Sequence, residues 1–261
     1  MPSGLDLAGR AVIVTGASRG LGRSVAERLA DEGCNLALCA RRQGPLEDLA
    51  EGLRERHGVR VHAAAVDVTD HDRLAAFIAE SAAQLGRLHG LVANAGGGRG
   101  GSLEDSTAAD WSATFNVNVV HAATATRAAV PRFVRDGSAS VVLVSSVSGW
   151  KPAPSAPYSS AKAATIHLGA CLARELGPAG VRVNVVCPGS MLIPGKRWDR
   201  MRLEDPVRFD KFLNEFPGRQ LIGPDEVAAV IAFLLSNQSR AVNGASIAVD
   251  GAQNSPTADG Y

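Results

Sequence analysis

Along this chain, short runs that are apolar at nearly every position alternate with longer stretches in which apolar residues recur every three or four positions. The short runs are Ala11–Thr15, Asn35–Ala40, Val61–Val66, Leu88–Ala93, Ser140–Ser145, Arg182–Cys187 and Ser246–Val249. They are rich in valine and alanine and show no in-out alternation, which predicts parallel strands covered on both faces. The stretches between them predict helices: Leu21, Val25 and Leu29 recur at four-residue spacing, as do Leu168, Leu172 and Leu176. Strand–helix alternation over the whole length predicts an α/β, doubly wound sheet. No break in composition, linker or repeat divides the chain, so residues 1–261 are expected to form a single domain.

The rhythm fails once. Residues 190–223 form no strand–helix unit and hold Pro194, Pro206 and Pro217, three glycines and charges of both signs. So long an insertion in a compact domain predicts a lid or binding loop over a substrate, the alternative being a surface excursion of no consequence. Its mixed charge favours neither an anionic nor a neutral ligand.

Composition narrows the function classes. A hydrophobic content of 46% supplies a sizeable core, and a net charge of +1 gives no field for nucleic acid. Runs such as Ala11–Val14 and Val141–Val144 are too short to cross a bilayer, and "MPSGLDLAGR" has no apolar signal core, so a cytoplasmic protein without membrane contact is expected. Cys34, Cys39, Cys171 and Cys187 make no C-x-x-C pair and sit in or beside apolar segments, which predicts reduced core thiols. The six histidines are scattered, and no metal site is expected.

Candidate chemistry begins at "AVIVTGASRGLG" (11–22), a strand running into a glycine-rich turn and then a helix. Gly16, Gly20 and Gly22, with Ser18, Arg19 and Leu21 between them, predict a pyrophosphate cradle. Glycines permit the tight turn and close approach, and a helix N-terminus presents free N–H groups. The bland alternative is an ordinary strand–helix turn. The second strand ends in Ala40, Arg41 and Arg42, where dinucleotide folds that bind NAD commonly carry an acid for the ribose hydroxyls. Guanidinium groups there suit the 2′-phosphate of NADP(H) better than NAD(H), with Arg19 as a further cation, unless all three are simply solvated arginines. Tyr158 and Lys162 stand four residues apart in "PYSSAK". On a helix they share a face, either as decoration or so that the ammonium lowers the phenol's pKa for proton transfer.

In this order, "TGASRGLG", "NAG" (94–96), "YSSAK" (158–162), "CPG" (187–189) and the closing "VDGA" (249–252) resemble the short-chain dehydrogenase/reductase family over nearly the whole chain. The resemblance implies a single Rossmann domain with a seven-stranded parallel sheet flanked by helices on both faces, a nicotinamide cofactor, and a homotetramer or dimer. It implies Tyr158 as proton donor or acceptor, Lys162 on the nicotinamide ribose, and Asn118 supporting a water beside Lys162. The catalytic serine falls in "VSSVSG". Ser146 matches the register of the following "VSG", whereas Ser145 has the commoner thirteen-residue spacing to the tyrosine; Ser146 is preferred. Asp67 and Val68 match an adenine-contacting pair, Asn94, Ala95 and Gly96 the "NAG" motif, and Pro188, Gly189 and Met191 the stretch beside the nicotinamide.

Two departures stand out. Ile193 replaces a threonine frequent after "PG", and "NAGGGRGG" (94–101) is richer in glycine than is usual. Trp150, Trp198, Phe209, Phe212 and Phe216 suit core, interface or substrate contact equally and are left out of the site. The expected function is NADPH-dependent hydride transfer to or from a ketone or secondary alcohol, a small molecule, with 3-oxoacyl thioester reduction as one specialisation. The alternatives are a silent cofactor-binding subunit and a lyase or epimerase on the same fold.

Overall fold

A computed structural model describes residues 4–153 and 155–255. Seven strands, β1 (Ala11–Thr15), β2 (Asn35–Ala40), β3 (Val61–Ala65), β4 (Gly90–Ala93), β5 (Ser140–Val144), β6 (Arg182–Pro188) and β7 (Ser246–Val249), form one sheet. Its order is β3-β2-β1-β4-β5-β6-β7, and every neighbouring pair is parallel. The helices are α1 (Gly20–Asp31), α2 (Gln43–His57), α3 (His71–Leu85), α4 (Ala108–Phe115), α5 (His121–Ala129), α6 (Ala156–Leu176), α7 (Arg197–Glu204), α8 (Pro206–Leu213) and α9 (Pro224–Leu235). The α/β sheet with helices on both faces is as the sequence predicts, with strand ends moved by one or two residues. The extreme termini of the expected domain lie outside the described residues.

Because side chains alternate across a strand, β1 feeds two cores. Val12 and Val14 join α1, α2 and α9 on one face. Ala11 and Ile13 join α3, α5 and α6 on the other. This double burial is why the strands read as continuous apolar runs.

Two expectations need correction. Cys34, Cys39 and Cys187 are buried, but Cys171 is exposed, because its place on α6 faces away from the sheet. The leucines at 168, 172 and 176 do mark α6, yet its buried stripe is Ala161, Thr165, Gly169 and Ala173. Small residues let the helix lie close on β6; a Cβ at Gly169 would meet Val185 Cγ2 at 2.2 Å. Segment 190–223 carries α7 and α8, and its two ends meet in a bridge between Met191 and Ile222.

Order reverses at β1: the chain runs outward through β2 to β3, then crosses back to β4 on the other side of β1. The crevice at the carboxyl ends of such strands is the usual ligand site of an open α/β sheet.

Candidate active site

The turn after β1 is built for close approach. Gly16 and Gly20 have φ of 69° and 56°, in the left-handed region. Gly22 lies so near the turn that a Cβ would sit 2.3 Å from the Gly16 carbonyl oxygen. α1 starts without a side-chain cap, as α2, α6 and α7 also do, while Asp70, Thr107 and Asp205 cap α3, α4 and α8. The first N–H groups of α1 are therefore left for something other than a side chain.

Above this turn opens a cleft of about 1000 Å³. Gly16, Ser18, Arg19, Leu21, Gly22, Arg41, Arg42, Asp67, Val68, Asn94, Ala95 and Gly96 line it, so nearly the whole predicted cofactor set on this side is brought together. Gly20 makes the turn beneath. The Asp67 carboxylate accepts from Thr69 N (3.0 Å) and Thr69 Oγ1 (2.8 Å). These bonds, with Arg41 more weakly, hold its pKa below the ordinary range. Asp67 thus stays ionised, and against its one negative charge the lining sets Arg19, Arg41 and Arg42, and Arg99, which sequence reasoning did not single out. An uncapped helix start, a cradle a Cβ would fill and several guanidinium groups fit a phosphorylated dinucleotide.

Leu21, Asn94, Gly96 and Gly97 are shared with a second cavity of about 240 Å³, which makes the two a continuous groove. Ser145, Ser146, Tyr158, Lys162, Pro188, Gly189 and Met191 line this second part, together with Ile193. The two adjacent serines have parted. Ser145 Oγ donates to the Lys162 carbonyl at 2.7 Å. Ser146 Oγ accepts from Ser148 N at 3.1 Å and lines the cavity beside Tyr158.

Lys162 is buried at 3% exposure, its Nζ donating to the Val144 carbonyl at 2.9 Å. Burial pushes its pKa down to about 8. Nζ lies 5.6 Å from the centre of the Tyr158 ring. Burial raises the pKa of Tyr158, and the nearby Ser146 hydroxyl only partly offsets it. In the protein alone desolvation dominates the phenol; the expected lowering rests on the lysine together with a nicotinamide cation.

Asn118 sits in one turn of π-helix, Asn116–Val120, between α4 and α5. Its Nδ2 donates to Gly97 O (2.6 Å) and Thr114 O (2.7 Å), and its Oδ1 accepts from Gly97 N (3.3 Å). At Gly96 a Cβ would lie 2.7 Å from Asn118 Oδ1 and 3.2 Å from Lys162 Nζ, so only glycine lets the two converge there. The glycine-rich stretch is pinned at alternate residues: Gly97 by Asn118, Arg99 N by Thr114 Oγ1 (2.9 Å) and Gly101 N by Ser106 Oγ (3.0 Å).

A buried relay beneath the groove was also missed. His121 Nδ1 lies 2.8 Å from Val117 O and must donate to it, which leaves Nε2, 3.2 Å from Thr15 Oγ1, as an acceptor. Thr15 Oγ1 in turn accepts from Asn94 N and Ala95 N, each at 3.0 Å. His121 is fully buried, and its pKa falls to about 4, chiefly through desolvation. The available signal was a histidine inside an otherwise apolar helical face.

Among the described residues no group of three His, Cys, Asp or Glu could hold a metal ion, and no helix is long and apolar enough to cross a membrane. The short chain dehydrogenase family model matches residues 10–198. An uncharacterized NAD-dependent oxidoreductase of Mycobacterium tuberculosis is 35% identical over 266 residues, 95% of this chain and 96% of its own. L-sorbose reductase from Gluconobacter frateurii, solved with NADPH and L-sorbose, superposes with a TM-score of 0.90 at 27% identity, covering 98% of this chain and all of its own. A short chain dehydrogenase from Burkholderia cenocepacia in complex with NADP gives a TM-score of 0.86 at 32% identity, over 95% of this chain and 99% of its own.

Proposed function

The chain belongs to the short chain dehydrogenase family, and from that premise we propose that it is an NADPH-dependent reductase of a small ketone, working reversibly on the matching secondary alcohol. The observation that carries this reading is the joining of a phosphate-binding cleft to a cavity where Ser146, Tyr158 and Lys162 meet.

The cofactor, when bound, supplies the hydride chemistry. Ser18 and the first amides of α1 would hold its pyrophosphate, Arg41 and Arg42 its 2′-phosphate, and Asp67 and Val68 its adenine. Pro188, Gly189 and Met191 form the wall on the nicotinamide side. Tyr158 gives its phenolic proton to the carbonyl oxygen of the substrate. The phenol is the proton donor in reduction and, as phenolate, the acceptor in the reverse reaction. Ser146 donates a hydrogen bond to the same oxygen and stabilises the negative charge that develops on it. Lys162 contributes positive charge, and Asn118 holds Gly97, and through it the strand-end loop, against the site. NADPH rather than NADH is supported by arginines where a ribose-binding acid would stand. The relative named NAD-dependent makes this the part to measure.

The test is consumption of NADPH with a panel of ketones, among them cyclohexanone, diacetyl, a ketose and acetoacetyl-CoA, with Tyr158→Phe as the control. One or more should be reduced. Tyr158→Phe should still bind NADPH but turn over about a hundredfold to ten-thousandfold more slowly. Turnover in Tyr158→Phe close to that of the parent would remove the proposed proton donor.

A further inference from the structure

Outside the groove, a small turn after β7 joins the start of segment 190–223 to Glu215, just beyond α8. The Asp250 carboxylate accepts from Ala252 N (3.0 Å) and Asn254 N (2.9 Å). Gly251 and Ala252 both lie in the left-handed region, Ala252 with φ 65°. For an alanine this is a strained conformation that the surroundings must enforce. The strained turn points Gln253 inward, where it is only 7% exposed.

Every polar atom of the Gln253 side chain is used, and used on that segment. Oε1 accepts from Ser190 N at 2.8 Å. Nε2 donates to Ser190 Oγ at 3.2 Å and to Glu215 Oε2 at 3.1 Å. Ser190 lies where the segment leaves β6, and Glu215 lies just beyond α8, on its way back. The same Glu215 oxygen accepts from Lys151 Nζ at 3.2 Å, and Lys151 also donates to the Gln253 carbonyl at 3.4 Å. Lys151 stands in the loop that follows Ser146. Gly189 fits beneath this node; a Cβ there would lie 2.7 Å from Asp250 Cβ and 3.0 Å from Gln253 Oε1.

Aromatic packing makes the rest of the segment one body. Arg197 lies over Trp198 at 4.6 Å, Trp198 stacks on Phe212 at 3.9 Å, and Phe212 meets Phe216 edge-on at 5.6 Å. Phe216 is buried in the domain. The Met191–Ile222 bridge joins the segment's ends, and the Gln253 amide ties its first residue to Glu215, on the return side of the two helices.

We propose that Gln253 is a positioning residue that fixes the cover 190–223 against the nicotinamide-side wall, and that its amide sets how readily a carbonyl substrate is held there. The substrate part rests on the function proposed above; the positioning part does not. Lys151 and Glu215 are each nearly half exposed, so their ion pair is a weak, salt-sensitive addition to the buried amide bonds.

The experiment compares Gln253→Leu, Gln253→Glu and the double variant Gln253→Glu with Glu215→Gln. Gln253→Leu removes the bonds, and Gln253→Glu sets one carboxylate against another. The double variant restores an amide–carboxylate pair with the roles exchanged. Hydrogen exchange is followed at Ser190, whose amide makes the bond in question, and across 190–223, in the protein alone and with NADPH. KM and kcat are measured with the best ketone of the panel. Loss of the bond to the Glu215 carboxylate should speed exchange around Glu215 by about tenfold or more in both single variants, whereas Ser190, whose amide keeps an acceptor in Gln253→Glu, should exchange faster only in Gln253→Leu. KM should rise by a similar factor while kcat changes much less, and the double variant should return both toward the parent. Unchanged exchange in the single variants, or a double variant no better than Gln253→Glu, overturns the proposal. Should Gln253→Leu fail to fold, the two charge-exchange variants decide. If no ketone is reduced, exchange still reads the positioning role, and only the functional premise has failed.

Discussion

Ser145 and Ser146 are neighbours in sequence with opposite surroundings. In extended backbone, successive side chains point to opposite faces. Ser145 turns toward α6 and spends its hydroxyl on the Lys162 carbonyl, while Ser146 faces the groove and Tyr158. Sequence alone left the pair ambiguous, because a one-residue shift in the following loop exchanges their roles without changing the composition. Ser146→Ala is expected to lower turnover by roughly a hundredfold or more, the scale of losing one donor to a developing oxyanion. Ser145→Ala is expected to act on stability instead, by about 1 kcal/mol, the net value of one buried hydrogen bond. Steady-state kinetics and thermal unfolding of both variants check this, and the reverse pattern would exchange the two assignments. Tyr158 and Lys162 were legible because four residues is one helical turn. Their ionisation was not, since burial is a tertiary quantity that spacing cannot report.

At the scale of single elements, the strands were read nearly to their ends, because burial on both faces writes itself into each run. α7 and α8 were not, since prolines and mixed charge hide helices that start at a capped proline or turn outward to solvent. The π-helical turn at Asn116–Val120 was hidden for another reason: its extra residue breaks the 3.6-residue period by which helices are recognised. That turn carries Asn118 and leads directly into His121, so the element least visible in sequence holds the groove's underside. The relay from His121 to Thr15 has a cost in acid. His121 titrates near 6.5 in an unfolded chain but at about 4 in the fold, so the unfolded state takes up its proton first. Its contribution is fully present above pH 6.5 and is lost as pH falls through the folded value near 4. The shift corresponds to about 3 kcal/mol. Urea unfolding of the protein at pH 7 and pH 4.5 should show a fall of this order that is largely absent in His121→Gln. An equal fall in that variant would place the acid sensitivity elsewhere, in groups such as His62 or His89, whose pKa values burial also lowers.

For the whole molecule, the groove's charge decides more than any single contact. A net charge of +1 says little about a cleft whose rim carries Arg19, Arg41, Arg42 and Arg99 against Asp67. A hydrogen bond from arginine to a charged phosphate contributes about 1.5–3 kcal/mol, and 1.4 kcal/mol is a factor of ten. NADPH should therefore exceed NADH in kcat/KM by at least about tenfold, with the gap narrowing as salt rises. Ala40→Asp with Arg41→Ser should move the ratio toward NADH, and an unmodified protein that prefers NADH would refute the assignment. The order of the strands has a consequence for how such a protein is made. No parallel pair can be closed by a tight hairpin, and β1 meets β4 only when Val12 finds Gly90. The floor of the groove is thus a long-range contact, of the kind that slows folding. A nascent chain halted before Gly90 leaves one side of β1 without its ladder, an open row of backbone donors and acceptors to which another unfinished chain can add a strand.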